Sequence, residues 1–137
     1  IAANCIGLNQ FVCDLVANNL ASSKNGLNPN HETRVKFGRM RTHAFAARSS
    51  VYRTARLIEA GENCVNEIMA SKILASETIA ELTDIAIQIV GGEALIESHP
   101  LASIFRRVRA SRLAEGPTDT LHANISRGYL DLNLGRI

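Results

Sequence analysis

The stretch VNEIMASKILASETIAELTDIAIQIV, residues 65–90, followed at once by Gly91-Gly92, decides the fold. Apolar residues recur along it at helical spacing, with Val65, Ile68, Met69, Leu82, Ile85, Ala86 and Ile89 predicted inward. Asn63 can cap its start, and the glycine pair ends it. Working outward, residues 1–21 place Leu8, Phe11, Val12, Leu15 and Val16 on one stripe. The polar stretch 22–30, with Gly26 and Pro29, breaks that helix. A second helix is predicted over 32–60, with Met40, Ala44, Ala47, Val51, Ala55 and Ile58 inward and Gly61 as its stop. Beyond the glycine pair, a loop to His99-Pro100 leads to a short helix over 101–112 and a final one over 117–132. No segment shows two-residue alternation bounded by turns, so no sheet is expected. The prediction is an all-α antiparallel four-helix up-and-down bundle, one domain over residues 1–137.

Composition narrows the function classes. The chain is 46% hydrophobic but only 4% aromatic, so Leu, Ile, Val and Ala must supply the core. A formal charge of +2 gives no electrostatic reason to expect nucleic acid or a membrane surface as partner. No apolar run is long enough to span a bilayer. The odd cysteine count, Cys5, Cys13 and Cys64, fits reduced thiols, and a cytoplasmic protein (or one of the mitochondrial matrix, in a eukaryote) is expected. Because the chain opens at Ile1 inside an apolar pattern, it is expected to be a piece of something longer.

Several chemistries find no support in the residues. Di-iron bundles need Glu-x-x-His pairs, and His31, His43, His99 and His122 are scattered without ligand spacing, so no metal is expected. HExxH, GxSxG and P-loop patterns are absent. Arg106, Arg107, Arg109 and Arg112 form a charge cluster that reads first as a solvated or salt-bridged face and second as attraction for an anionic ligand. Gln88-Ile89-Val90-Gly91-Gly92 is either a plain helix stop or a place where a flat ligand can approach bare backbone. Glu115, ahead of a helix opened by Pro117 and Thr118, is either a dipole-matching carboxylate or a functional acid.

Taken in order, these motifs resemble the C-terminal helical domain of the acyl-CoA dehydrogenases. Lys36–Met40 looks like that family's K-L-A-x-M segment, with Tyr52 after it, and Lys72–Glu77 like its A-K-x-x-A-S-E segment. Gln88–Gly92 resembles its flavin-contacting Q-I-x-G-G, Phe105–Arg109 its Y-R-D-x-R, and Glu115-Gly116-Pro117-Thr118 its E-G-T turn. There are departures. The family's R-x-x-F-G falls on Ser22–Gly26, where only the glycine is kept, and E-G-T has become E-G-P-T. Arg34–Gly38 fits R-x-x-F-G by letters but sits inside the second helix.

The resemblance implies FAD-dependent α,β-dehydrogenation of an acyl-CoA thioester, with Glu115 as catalytic base. Gln88, Ile89, Val90, Gly91, Gly92, Pro117 and Thr118 would touch FAD, and Gly116 the substrate. Apolar neighbours such as Leu113 and Ala114 would desolvate the Glu115 carboxylate. It also implies an electron-transfer flavoprotein as redox partner, a homodimer or tetramer through the bundle, and an active site completed by domains outside this chain. A non-catalytic assembly subunit that lost flavin contacts, or a related flavin monooxygenase, are the alternatives.

Overall fold

The computed structural model describes residues 1–22, 29–134 and 137. Five α-helices and no strand occur among them: α1 (Ala2–Ala21), α2 (His31–Glu59), α3 (Val65–Val90), α4 (Pro100–Ser111) and α5 (Thr118–Leu130), with a short 3₁₀ helix at Gly92–Leu95. The helix ends follow local chemistry. Asn30 caps α2 by accepting the Thr33 N–H at 2.8 Å. Gly61, at φ +70°, ends it in a Schellman motif: its own N–H reaches Ile58 O and the Glu62 N–H reaches Leu57 O. Cys64, rather than Asn63, stands at the N-cap of α3 and offers no side-chain hydrogen bond. His99 caps α4 through Nδ1, and Pro100 occupies its first turn.

α3 is the central helix, and the others pack around it. Thr54 meets Ser71, while Arg39 and His43 both meet Glu81, so α2 runs antiparallel to α3. The fourth column of the bundle is split. Arg112 pairs with Glu77 near the C-terminal end of α4, while Gly128 of α5 lies against Asn66 at the start of α3. α4 and α5 therefore stack along successive halves of α3, both antiparallel to it, with the 112–117 turn at mid-height.

The core gathers Val12, Cys13, Val16, Met40, Ile79, Leu82, Ala86 and Leu101. Its position corrects several expected faces. Phe11, Ile58, Val65 and Ile68 are exposed, as is Ala55, while Cys5, Asn9, Thr54 and Leu57 point inward. α3 buries Asn66, Glu67, Ser71, Lys72, Ser76, Thr78 and Thr83 besides its apolar residues, because a central helix is contacted on more than one side. Small hydroxyl residues suit that place. Thr83 Oγ1 donates to Ile79 O at 2.7 Å and Ser76 Oγ to Ile73 O at 3.1 Å, so both are satisfied within their own helix. Burial pushes the Cys5 and Cys13 thiols above their usual pKa, opposed for Cys5 chiefly by a hydrogen bond with Ser111 and for Cys13 by Arg41. No described helix is long and apolar enough to cross a membrane.

Candidate functional site

The split between α4 and α5 forces the chain through a tight turn, and that turn holds Glu115. Glu115 has φ +53° and Gly116 φ +107°, two consecutive residues in the left-handed region. For Gly116 this is free, and a Cβ there would stand 3.0 Å from Leu121 Cδ2. For Glu115 the conformation costs on the order of 1–3 kcal/mol and persists only where neighbours enforce it. The enforcing group is Lys72 of α3. Its nearly buried side chain donates from Nζ to Gly116 O at 2.7 Å and to Arg112 O at 3.2 Å. Two such bonds from an amine, at about 1–3 kcal/mol each, are enough to offset the backbone cost.

The Glu115 side chain is exposed and borders an apolar notch of about 220 Å³, lined also by Ile1, Ala2, Ile68, Met69, Lys72 and Leu121. Leu113 and Ala114 face solvent and do not form the expected apolar surroundings. Those come instead from α1, α3 and α5. Ile68, unexpectedly on the surface, thereby acquires a place beside the carboxylate.

Gly116 follows Glu115 in the same turn, Pro117 is exposed at the N-cap of α5, and Thr118 is buried in its first turn. Thr118 Oγ1 has no hydrogen-bond partner, a rare condition for a buried hydroxyl. The second predicted group lies elsewhere. Gln88 is exposed at the end of α3, Ile89 and Val90 pack partly against the core, and Gly91 closes the helix at φ +90°. A Cβ on Gly91 or Gly92 would meet nothing within 4 Å, so this backbone is open to an approaching group. About 24 Å of helical rise separates Gln88 from Lys72, so the two motifs do not form one compact pocket within the chain.

Of the arginine cluster, Arg106, Arg107 and Arg109 are solvated, while Arg112 turns to Glu77 at 3.1 Å. Arg34–Gly38 lies within α2, as its spacing indicated. The Ser22–Gly26 departure falls mostly on residues 23–28, outside the described residues. The residue that sequence reasoning passed over is Lys72. It belonged to a recognised segment, but nothing local showed that it would reach the turn.

The sequence profile of the acyl-CoA dehydrogenase C-terminal domain family matches residues 1–130. An acyl-CoA dehydrogenase of Bacillus subtilis is 32% identical over 95 residues, covering 69% of this chain and 25% of that protein. The short/branched chain specific mitochondrial acyl-CoA dehydrogenase of Bos taurus is 34% identical over 80 residues, 58% of this chain and 18% of its own. Among solved structures, butyryl-CoA dehydrogenase from Megasphaera elsdenii superposes with a TM-score of 0.89 at 22% identity, covering 94% of this chain and 34% of that one. The chain thus spans about a quarter or less of these two curated relatives.

Proposed function

The chain belongs to the acyl-CoA dehydrogenase family, as its C-terminal domain, and from that membership we propose that it carries the catalytic base, Glu115, of an FAD-dependent α,β-dehydrogenation of acyl-CoA thioesters. The observation that carries the reading is the Glu115 backbone. A non-glycine residue held left-handed, next to a glycine and beside an apolar notch, is the kind of enforced strain that functional sites store.

The chemistry follows from need. The α-hydrogen of a thioester is weakly acidic, so a carboxylate must be fixed beside it. Glu115 takes that proton, and the Ile68, Met69 and Leu121 side chains help to keep water from the reacting carbons. What bound FAD supplies is acceptance of the hydride leaving the β-carbon, which yields a 2,3-enoyl thioester. The residues present fit that cofactor: Thr118 Oγ1 is unpartnered beside the N-terminus of α5, and Gly91-Gly92 leaves backbone uncovered. In this reading Gln88–Gly92, Pro117 and Thr118 touch FAD and Gly116 the thioester. The separation of the two motifs is accommodated if different copies or different parts of an extended cofactor use them. Large apolar side chains exposed on α1 and α2, including Phe11, Phe45 and Tyr52, support self-association through the bundle. An electron-transfer flavoprotein completes the cycle as electron acceptor.

A non-catalytic assembly subunit is the second reading, favoured by the loss of Arg and Phe from Ser22–Gly26. The test is anaerobic mixing of the full-length, flavin-loaded protein with acyl-CoA thioesters while flavin bleaching is followed. Wild type is expected to bleach and Glu115→Gln to remain oxidised. A protein that purifies without flavin, or a Glu115→Gln variant that bleaches like wild type, overturns the assignment.

A further inference from the structure

Lys72 occupies an unusual place. It projects from the first third of the central helix, is 8% exposed, and directs its Nζ not to a carboxylate but to two backbone carbonyls of one turn. Those carbonyls, of Arg112 and Gly116, bracket Glu115 in the chain. Fixing both anchors the three intervening residues from one point on a rigid helix. The other restraints on the turn act on its flanks. Arg112 is drawn to Glu77 on α3, one and a half turns of helix beyond Lys72, and Leu121 closes the space beside Gly116. The turn is thus held on three sides by α3 and α5, and only Lys72 among these groups grips backbone atoms on both sides of Glu115. Lys72 also borders the same notch as Glu115.

We propose that Lys72 is a positioning residue for Glu115: it clamps the Arg112 and Gly116 carbonyls so that the carboxylate meets the substrate α-proton in a reactive geometry. The proposal rests on the reading of Glu115 as base. Without the amine, the left-handed pair at residues 115–116 loses the hydrogen bonds that enforce it, and the carboxylate samples positions displaced from the reacting proton. Misplacement of a catalytic group by about 1 Å costs on the order of 100-fold in rate. Substrate and flavin contacts made outside residues 112–118 are left in place, so the largest effect falls on the chemical step.

The experiment compares Lys72→Met, Lys72→Arg and Glu115→Gln in the full-length, flavin-loaded protein, with butyryl-CoA and longer saturated acyl-CoA thioesters as probes. Flavin content and the rate of anaerobic bleaching against thioester concentration are measured for each. Lys72→Met is expected to lower the saturating rate by roughly 10- to 100-fold, with the half-saturating concentration within about twofold of wild type. Lys72→Arg, which keeps donors at the same point, is expected to recover most of the rate. A merely structural lysine would instead show flavin loss and weakened thioester binding together. If Lys72→Met does not accumulate as folded protein, Lys72→Leu, which likewise carries no N–H donor, takes its place in the same comparison. A Lys72 variant lacking the clamp that bleaches at the wild-type rate, while Glu115→Gln is inert, overturns the positioning role alone. A Glu115→Gln variant that bleaches like wild type overturns the base reading, and this proposal with it.

Discussion

Gly128→Ala is the substitution whose outcome the packing of α5 on α3 decides most sharply. Gly128 is buried in the last turns of α5, and a Cβ built there falls on Asn66 Oδ1, well inside contact distance, and 3.1 Å from Nδ2. Asn66 is fully buried and cannot simply swing away, because its Nδ2 donates to Leu134 O at 2.8 Å and Ile137 O at 3.1 Å. Two effects compete. Alanine is favoured over glycine within a helix by about 1 kcal/mol. Against that stand two hydrogen bonds worth about 1 kcal/mol each and an overpacking cost of about 1–3 kcal/mol. The net expectation is destabilisation by about 2–4 kcal/mol, with the C-terminal segment released from α3. Urea unfolding of the 137-residue chain, followed by far-ultraviolet circular dichroism, reads this as a lower midpoint. The decisive comparison repeats Gly128→Ala in an Asn66→Ala background, where the obstruction is gone and only helix propensity remains. There the same change should stabilise by about 0.5–1 kcal/mol. An equal loss in both backgrounds would refute the contact argument.

Two further outcomes follow from other parts of the molecule. Replacing Glu115 by glycine removes a side chain from a left-handed position, so stability in urea should hold or rise by up to about 1 kcal/mol even as bleaching activity disappears; a clear loss of stability would show that the Glu115 side chain itself holds the turn. Because burial raises the Cys5 and Cys13 thiols, the folded chain keeps their protons at pH values where the unfolded chain, at its ordinary 9.0, releases them. Their stabilisation is therefore complete below about pH 9 and declines as pH rises toward the folded-state values, by at most about 1.4 kcal/mol per pH unit for each thiol. Unfolding midpoints measured from pH 7 to 10.5 for wild type and a Cys5→Ala/Cys13→Ala pair check this, and parallel curves would refute it.

Much of this architecture can be read from the chain because its punctuation is local. Gly61 stops α2 and Gly91 stops α3 through their own backbone conformations, and the α1 stripe of Val12 and Val16 needs no knowledge of its partner. What resisted reading was α3. A search for Leu, Ile and Val finds Val65 and Ile68, which lie outside the core, and passes over Ser76, Thr83 and Asn66, which lie within it. A helix packed on several sides admits small and polar residues that satisfy themselves on their own backbone, so its pattern no longer marks a single face. The candidate site divides in the same way. The order of Gln88–Gly92 and Glu115–Thr118 is visible along the sequence, whereas the bond from Lys72 to Gly116 spans 44 positions and depends on the fold.

The break in the fourth column also determines where the chain can change length. In one continuous helix, an inserted residue would rotate everything after it by about 100° and turn the buried face of α5 toward water. Here α4 and α5 are seated separately, one through Arg112 on Glu77 and the other through Gly128 on Asn66. An extra residue between them is absorbed by the turn. Pro117, which makes this turn one residue longer than an E-G-T sequence, occupies such a position: exposed, ahead of the first helical residue, and without consequence for the register of either neighbour. The waist of the bundle is thus a joint at which the spacing between a carboxylate and the helix behind it can vary while the core stays unchanged.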